Sequence, residues 1–373
     1  MRLQTLDRYL AREILLPFTA GLVFLTQLLI ATQLLAQSEV LLGSGVSAVD
    51  IAWVALALTP HFLGYVLPIA FLLGAVLGVG RLAEDREVIA LGAAGISPLR
   101  LARAPLLLGL VVSLAALFVA LELEPAGLRS ARQRLNDVIR RNLTNDVRGG
   151  VFFDEIPGIT VYVEDAREGG WRNVLISDRT DPSAPLLALA RTGRLEPAGA
   201  EDSLRVLLDD GELHREEPGA REYVKAKFGS ASVSVAAGRS VSERNRLGST
   251  RFEMRSADIV ERAALHESRG ETLEARRWRT FFHRRAAGAV AILAFALLAV
   301  PLAASRRGGR TAGYVATLFA VVLYYAVLRL GENLAHGGAL PVWLGPHVGS
   351  LLVAAIALLL SWNLHRKGTG VVR

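Results

Sequence analysis

The chain of 373 residues contains no cysteine. This absence excludes disulfide bonds, thiolate metal sites, iron–sulfur clusters and cysteine nucleophiles. Lysine is nearly absent as well, since the chain has only Lys225, Lys227 and Lys367 and none of them follows a glycine. A P-loop needs a lysine directly after glycine to neutralise nucleotide phosphates. The chain therefore has no Walker site for ATP, and nucleotide energy would have to come from a partner protein.

Signatures of hydrolases and metalloenzymes are missing too. The sequence Gly95-Ile96-Ser97 is followed by Pro98 rather than by the glycine of a nucleophile elbow. There is no H-E-x-x-H sequence, and Glu332 with His336 supplies only two ligands at helical spacing, which is too few for a metal site. We therefore expect no catalytic residue, no metal and no cofactor, and we classify the chain as not an enzyme.

Apolar residues make up 52% of the chain and are concentrated in long uncharged segments near both ends. A membrane-spanning helix needs about 20 apolar residues, and six segments meet this length. The first, at about 23 residues, is too long for the hydrophobic part of a typical signal peptide, so we expect it to stay in the membrane. No segment has a carboxylate at its centre, which argues against a carrier driven by protons or sodium ions. The predicted spans are Ile14–Ala36, Ile51–Gly80, Leu101–Leu121, Ala286–Ala304, Thr311–Leu330 and His347–Trp362.

The net charge of +7 comes mainly from arginines that flank these spans. Residues 122–285 hold 28 Lys and Arg against 27 Asp and Glu, whereas the rest of the chain holds 14 against 8. The loops 37–50 and 331–346 carry no basic residue, and the segments on the opposite side carry 13. Because basic loops stay in the cytoplasm, we expect both termini inside and residues 122–285 outside. The basic residues are thus an orientation signal, and no nucleic-acid partner is expected.

The block between the third and fourth spans changes its period along its length. Residues 122–145 are charged, with apolar residues at helical spacing, so the third span is expected to continue outward as a helix. From Val151 onward apolar residues alternate, and clusters of Gly, Pro and Asp separate the runs. About eight short strands over roughly 100 residues predict an antiparallel sandwich or barrel. Residues 256–285 return to a helical pattern.

The loop between the second and third spans has the most specific pattern. Residues 81–91 favour a helix in which carboxylates at 84, 85 and 87 precede an apolar run. We expect Val88 and Leu91 to pack into a cleft of a partner protein while the Glu87 carboxylate meets a basic or amide group there. The alternative is a solvated loop helix that has no partner.

The same loop carries a family resemblance. Asp85-Arg86-Glu87, followed by residues 90–97, resembles the coupling segment of the LptF/LptG permeases of lipopolysaccharide export. Each matching motif is short, but their order within a layout of three spans, an inserted domain and three spans is specific. The other matches are Asp7-Arg8-Tyr9-Leu10, Val66-Leu67-Pro68-Ile69-Ala70, His283-Arg284-Arg285, Pro301-Leu302, Gly308-Gly309-Arg310 and Gly313.

The resemblance implies a fold and a set of partners. The fold is an α-helical membrane protein with six transmembrane helices and a jellyroll-like, all-β periplasmic domain inserted between helices 3 and 4. Residues 1–121 would form helices 1–3 with a coupling helix at about 81–95, residues 122–285 the periplasmic domain with its jellyroll at about 148–252, and residues 286–373 helices 4–6 and the tail. The implied partners are an LptB-type ATPase dimer, a homologous LptG-like permease, LptC/LptA-type jellyroll proteins and lipopolysaccharide, and the implied location is the bacterial inner membrane.

The resemblance also implies roles for residues. The chain would be a non-catalytic permease subunit that extracts lipopolysaccharide and passes it to its external jellyroll. Glu87 falls where the family places its coupling glutamate, and the phrases at 150–153, 160–165 and 173–174 are more similar to LptF than to LptG. The candidate ATPase-coupling residues are Glu84, Asp85, Glu87, Val88, Ala90, Leu91, Gly92 and Gly95.

Two departures from the family concern the start of span four and the lipid path. Ala286-Ala287-Gly288 stands where the family has a proline after His-Arg-Arg, and the outer half of the first span has no basic residue for lipid phosphates. Gln27, Gln33 and Arg329 are the candidates for a lipid-path or anion contact. Two other functions fit the sequence: a membrane-anchored scaffold whose outer domain binds protein, and a permease for another amphiphilic lipid.

Overall fold

The computed structural model of the chain describes residues 3–36, 47–146, 149–156, 158–167, 170–179, 185–197, 204–216, 223–235, 250–304 and 309–367. The chain divides into two compact units. One comprises Met1–Thr32, Leu56–Arg129 and Ser249–Arg373, and the other comprises Gln33–Ala55 and Ser130–Gly248. The predicted β-domain boundary near residue 148, most of the loop 37–50, and Arg306 and Arg307 of the basic segments lie outside the described residues.

Ten α-helices lie within the described ranges. A π-helical turn, Val119–Leu123, connects the helix Arg103–Phe118 to the helix Glu124–Asp146 without a break, so the third span does continue as a helix, as the sequence predicted. Short 3₁₀ turns cover Thr250–Glu253 and Gly345–His347. The helices are α1 (Leu3–Ala36), α2 (Ala48–Glu84), α3 (Glu87–Ala93), α4 (Pro98–Leu101), α5 (Arg103–Phe118), α6 (Glu124–Asp146), α7 (Ser256–Ser268), α8 (Thr272–Ala304), α9 (Gly309–His336) and α10 (Val348–Lys367).

Six helical segments of the described chain are long and apolar enough to cross a membrane, which confirms the six predicted spans. The segments are Thr5–Ala36, Ala48–Glu84, Arg103–Leu135, Thr272–Ala303, Tyr314–His336 and Gly345–Asn363. In α2 and α8, 67% of the 18-residue apolar stretch is buried, against 22% in α1 and 28% in α9. The second and fourth spans therefore form the centre of the bundle, while the first and fifth present apolar surface outward.

Local sequence explains where two helices begin. Before α2, the Ser47 hydroxyl accepts a hydrogen bond from the Asp50 amide (3.1 Å), and the Asp50 carboxylate accepts one from the Ser47 amide (3.2 Å). Before α4, the Ser97 hydroxyl accepts from the Arg100 amide at 3.3 Å, and Pro98 is the first helical residue. These caps satisfy amide groups that have no partner within the helix.

Helix α1 lies directly on α2 at two glycines. A Cβ atom at Gly74 would stand 2.6 Å from Cβ of Phe18 and 2.7 Å from its Cα. A Cβ atom at Gly78 would stand 2.7 Å from the carbonyl oxygen of Glu13 and 2.8 Å from Cα of Ile14. The small-xxx-small spacing of these glycines lets two helix backbones touch, which is how membrane helices gain close packing.

The second unit contains a six-stranded antiparallel sheet whose strands neighbour one another in chain order. The sheet lies between the third and fourth spans in the sequence, so the predicted fold class is confirmed. Its core is formed by side chains that alternate along each strand, among them Val161, Val163, Ile176, Ala188 and Leu208. The strands are β1 (Val151–Ile156), β2 (Ile159–Arg167), β3 (Gly170–Asp178), β4 (Leu186–Pro197), β5 (Leu204–Glu216) and β6 (Tyr223–Val235).

The described residues hold six strands rather than the eight expected from the sequence. The difference arises partly because the alternating runs at 224–228 and 233–235 belong to one strand of 13 residues, β6. Two lysines of β6 converge on one carboxylate of β5: Nζ of Lys225 lies 2.6 Å from Glu212 Oε2, and Nζ of Lys227 lies 3.6 Å from Oε1. The hydrogen bond from Lys225 lowers the pKa of the Glu212 carboxyl.

Candidate functional site

The loop between α2 and α5 folds into two short helices instead of extending α2. Helix α2 ends at Glu84, Asp85 and Arg86 form a turn, and α3 begins at Glu87. Arg86 has φ = 59°, a left-handed conformation that breaks the helical path of the backbone. Residues 81–91 are therefore helical, as predicted, except at Asp85 and Arg86. The left-handed arginine interrupts the helix there, and such a residue has no local sequence signal. We call residues 81–101, with residues 3–13 of α1, the loop platform.

The apolar face of α3 is turned into the protein's own core. Val88 is 7% exposed and belongs to the hydrophobic cluster that contains Leu82 and Leu101, and Leu91 is partly buried against the same cluster. The expectation that Val88 and Leu91 pack into a partner's cleft is thus wrong for this conformation. A helix of seven residues has one apolar face, and the bundle already occupies it. The outward surface of α3 consists of Ile89, 54% exposed, with Ala90 and Ala93.

The Glu87 carboxylate contacts the first helix of the chain. The hydroxyl of Tyr9 lies 3.2 Å from Oε1 and 3.1 Å from Oε2 of Glu87, and the glutamate is half-buried. Since a carboxylate only accepts, the tyrosine is the donor. One face of the predicted coupling glutamate is therefore already engaged inside the protein.

Two ion pairs also join α1 to residues 81–101 of the loop platform. The guanidinium of Arg100 donates to both carboxylate oxygens of Asp7, at 2.6 and 2.9 Å. This hydrogen bonding raises the pKa of Arg100 above its ordinary value. Nη1 of Arg81 donates to Glu13 at 3.2 Å. Together with the hydrogen bond of Tyr9 to Glu87, these ion pairs join residues 7, 9 and 13 of α1 to α4, α3 and α2, respectively.

The remaining candidate coupling residues lie around the same surface. Glu84 and Asp85 are exposed at the end of α2, Ala90 is exposed on α3, and Gly92 is half-buried. Gly95 has φ = 82° just after α3, and the amide of Ile96 bonds back to the carbonyl of Leu91 at 2.9 Å. Gly95 therefore ends the helix in a conformation that other residues adopt only with strain.

A cleft of about 550 Å³ adjoins the loop platform between α1 and α2. Its charged rim is formed by Arg12, Glu13, Arg81 and Glu84, and its walls are mostly apolar. The charged end of α1 thus borders an accessible cleft as well as packing against α2.

A second polar cluster involves the ends of the spans that carry Arg284 and Glu332. The Glu332 side chain is 6% exposed and pairs with Nε of Arg284 at 3.1 Å and with Nη1 of Arg329 at 3.2 Å. Arg329 is thereby part of an ion-pair triad, which lowers its availability for an anion. Gln27 is exposed on α1 and Gln33 is half-buried there, and no described hydrogen bond joins Gln27 to Arg329.

The neighbouring His61 makes a buried pair with the third span. Nδ1 of His61 lies 2.8 Å from Oε1 of Glu124, and the ring packs edge-on against Tyr65 and Phe252. The adjacent cavity, lined in part by Glu124 and Arg284, has a volume of about 70 Å³. That volume holds a few water molecules and is too small for a lipid.

Sequence reasoning missed the roles of Asp7, Tyr9 and Arg100. The available signal was the motif Asp7-Arg8-Tyr9-Leu10, which places polar side chains at the head of an apolar span. Asp7 and Arg100 lie 93 positions apart in the chain, and Tyr9 and Glu87 lie 78 apart, so no local pattern connects the members of either pair.

Comparison with known proteins agrees with this architecture. No curated protein matches the chain. A family model described as lipopolysaccharide export system permease LptF/LptG matches residues 8–363 and so includes all six spans and the sheet. The match covers nearly the whole sequence, from the first turns of α1 to the last helix. The chain therefore belongs to the LptF/LptG family of lipopolysaccharide export permeases.

Proposed function

We propose that this chain, by family a membrane permease subunit of lipopolysaccharide export, is driven by a separate ATPase that docks on the loop platform. The observation that carries the proposal is that one face of the platform is exposed while the opposite face belongs to the core of the bundle. Because packed cores transmit displacement, a partner acting on the exposed face moves whole helices and not a free loop. The coupling is mechanical, and the chain itself is non-catalytic.

The chemistry of α3 and the end of α2 fits a protein partner with an apolar floor and a rim of mixed charge, because Arg86 is exposed beside the acidic residues. Ile89 and Ala90 are exposed next to the acidic residues Glu84 and Asp85. Apolar contact contributes affinity, and complementary charge selects and orients the partner. We assign direct contacts to Glu84, Asp85, Glu87 and Ala90, and a shaping role to Val88, Leu91, Gly92 and Gly95. The partner is an LptB-type ATPase dimer, with one platform for each permease.

The outward surfaces of the first and fifth spans fit a second permease and lipid. Val23 and Phe24 of α1 are 61% and 67% exposed, and Leu318 and Phe319 of α9 are 65% and 66% exposed. We propose that a homologous LptG-like subunit packs against these helices, with this chain in the LptF position. Lipopolysaccharide would pass between the subunits, and Gln27, Gln33 and Arg329 are candidates for contacts with it.

The β-sheet fits the role of receptacle for the exported lipid. In the described sheet, β1 and β6 each have one neighbouring strand, so either edge accepts a further strand. We propose that residues 122–285 form the periplasmic domain, between membrane parts at 1–121 and 286–373. This domain would hand lipopolysaccharide to LptC/LptA-type jellyroll proteins.

The orientation in the bacterial inner membrane gives a direct prediction. Reporter fusions after Gly43 and Gly338 should report a periplasmic position, and fusions after Gly92 and Gly308 a cytoplasmic one. The reason is the absence of basic residues in the loops 37–50 and 331–346. A cytoplasmic signal at residue 43 or 338 would contradict the proposed topology and, with it, the docking of a cytoplasmic ATPase.

Purification of the intact complex tests the proposed function itself. The chain, extracted from its native membrane in mild detergent, should bring with it a second permease, an ATPase and bound lipopolysaccharide, all identified by mass spectrometry. ATP should stimulate release of the bound lipid to a soluble jellyroll acceptor. A complex that contains periplasmic proteins but neither ATPase nor lipid would support the scaffold function instead. A different bound amphiphile would change the assigned substrate.

A further inference from the structure

We infer that the first turns of α1 are part of the ATPase-coupling site, with Tyr9 as the residue that positions Glu87. The inference rests on the proposed function, since it concerns the same loop platform. It assigns a role to the opening motif of the chain, whose polar side chains would otherwise only mark the end of a span.

The geometry at Glu87 carries the first step. The hydroxyl of Tyr9 stands almost equally far from both carboxylate oxygens, at 3.2 and 3.1 Å, so its single proton is shared between them. A free glutamate side chain samples several rotamers, and this contact favours the one that reaches Tyr9. Each carboxylate oxygen has two acceptor sites, so the carboxylate keeps lone pairs for a partner. Tyr9 therefore presents Glu87 in a fixed orientation without consuming its acceptor capacity.

The remaining contacts join α1 to the platform as one body. Asp7 bonds to Arg100 of α4, and Glu13 pairs with Arg81 of α2. In the same segment, Leu6, Leu10 and Ile14 form an apolar stripe at helical spacing, and their side chains are 3%, 0% and 0% exposed. The start of α1 is thus held on both its polar and its apolar side. A displacement of α3 by a docked ATPase has to carry this segment with it.

The polar links do more for position than for stability. Arg81 is 60% exposed, and the side chains of Asp7 and Arg100 are 20% and 18% exposed, so solvent screens all of these charges to some degree. The exposed pair of Arg81 with Glu13 therefore contributes little to folding, whereas the bidentate pair of Asp7 with Arg100 also holds α1 in place. The Tyr9 hydroxyl belongs to neither pair, so its loss is expected to leave the fold intact and to alter the affinity of the ATPase.

The test is Tyr9→Phe in the full permease complex reconstituted with its ATPase. This variant keeps the ring and removes the hydroxyl. We expect the Kd of the ATPase for the permease to rise about fivefold to tenfold, which is equivalent to about 1–1.4 kcal/mol and matches the net contribution of one ordinary hydrogen bond. The thermal unfolding midpoint should not change. Tyr162→Phe is the matched control, because Tyr162 lies on β2 of the sheet, outside the loop platform, and should give the wild-type Kd.

A double-variant cycle separates positioning from a general structural effect. If Tyr9 acts through Glu87, adding Tyr9→Phe to Glu87→Gln should raise the Kd no further than Glu87→Gln alone. Additive effects of the two changes would overturn the inference, as would an unchanged Kd in Tyr9→Phe beside a raised one in Glu87→Gln. In both of these cases the proposed function would stand. Absence of an ATPase from the wild-type complex would overturn the proposed function and this inference together.

Discussion

Glu87→Lys is expected to uncouple the permease from its ATPase while the protein still inserts and folds. The substitution places an ammonium group where the Tyr9 hydroxyl donates and where we propose that a basic or amide group of the ATPase docks. Loss of one side of a desolvated charged pair costs about 2–5 kcal/mol. This corresponds to a rise in Kd of roughly thirtyfold or more. The measurements are ATPase pull-down and lipid-dependent ATP hydrolysis in reconstituted vesicles.

Two controls distinguish a local effect from a general effect of charge. Glu261→Lys makes the same charge change on the exposed side of α7 and should leave ATPase binding unchanged. Arg86→Gly removes the neighbouring charge, and glycine tolerates the left-handed backbone at that position, where alanine would add strain. It should have a small effect. If Glu87→Lys leaves both binding and hydrolysis at the wild-type level, the coupling assignment is wrong and the scaffold function gains support.

The second large effect is expected at the contact between α1 and α2. In the double variant Gly74→Ala/Gly78→Ala, each new methyl group would lie 2.6–2.8 Å from atoms of Phe18, Glu13 or Ile14, most of which belong to the backbone of α1. Backbone cannot rotate away as a side chain can, so the helices have to separate. Overpacking of this kind costs about 1–3 kcal/mol at each site. We expect a lower thermal unfolding midpoint in detergent and faster proteolysis at α1.

Gly21→Ala is the matched control for this contact. Gly21 lies on α1 and also faces α2, but a Cβ atom there would stand 3.4 Å from Leu73 and 3.9 Å from Ala70, which is ordinary contact. Alanine also favours helix over glycine by up to about 1 kcal/mol. Gly21→Ala should therefore melt at or above the wild-type temperature. A double variant at 74 and 78 that melts with the wild type would mean that α1 does not rest on these glycines.

The loop platform illustrates how far the sequence could be interpreted. The run of carboxylates followed by apolar residues predicted a helix over residues 81–91, and α3 begins within that range at Glu87. Its orientation could not be predicted. Val88 and Leu91 are apolar whether they face the bundle or a partner, and only the packing of α3 against the core decides between these positions.

The outer ion pairs show the same limit. The pair of Arg329 and Glu332, three residues apart on one helix, was predictable from spacing and is present. The contact of Arg284 with Glu332, and that of His61 with Glu124, join different helices and needed the tertiary structure. Glu332 is almost completely buried, which its position near the end of a helix does not indicate from the sequence alone.

The sequence by itself determined the six spans, the inserted β-domain and the family. Each of these depends on hydropathy or on periods of 2 and 3.6 residues, which are properties of neighbouring positions along the chain. The tertiary structure alone decided that Arg86 interrupts the loop helix, that Val88 faces inward, and that Tyr9 holds Glu87. These features arise from contacts between distant segments, whose energies appear only when the helices pack against one another.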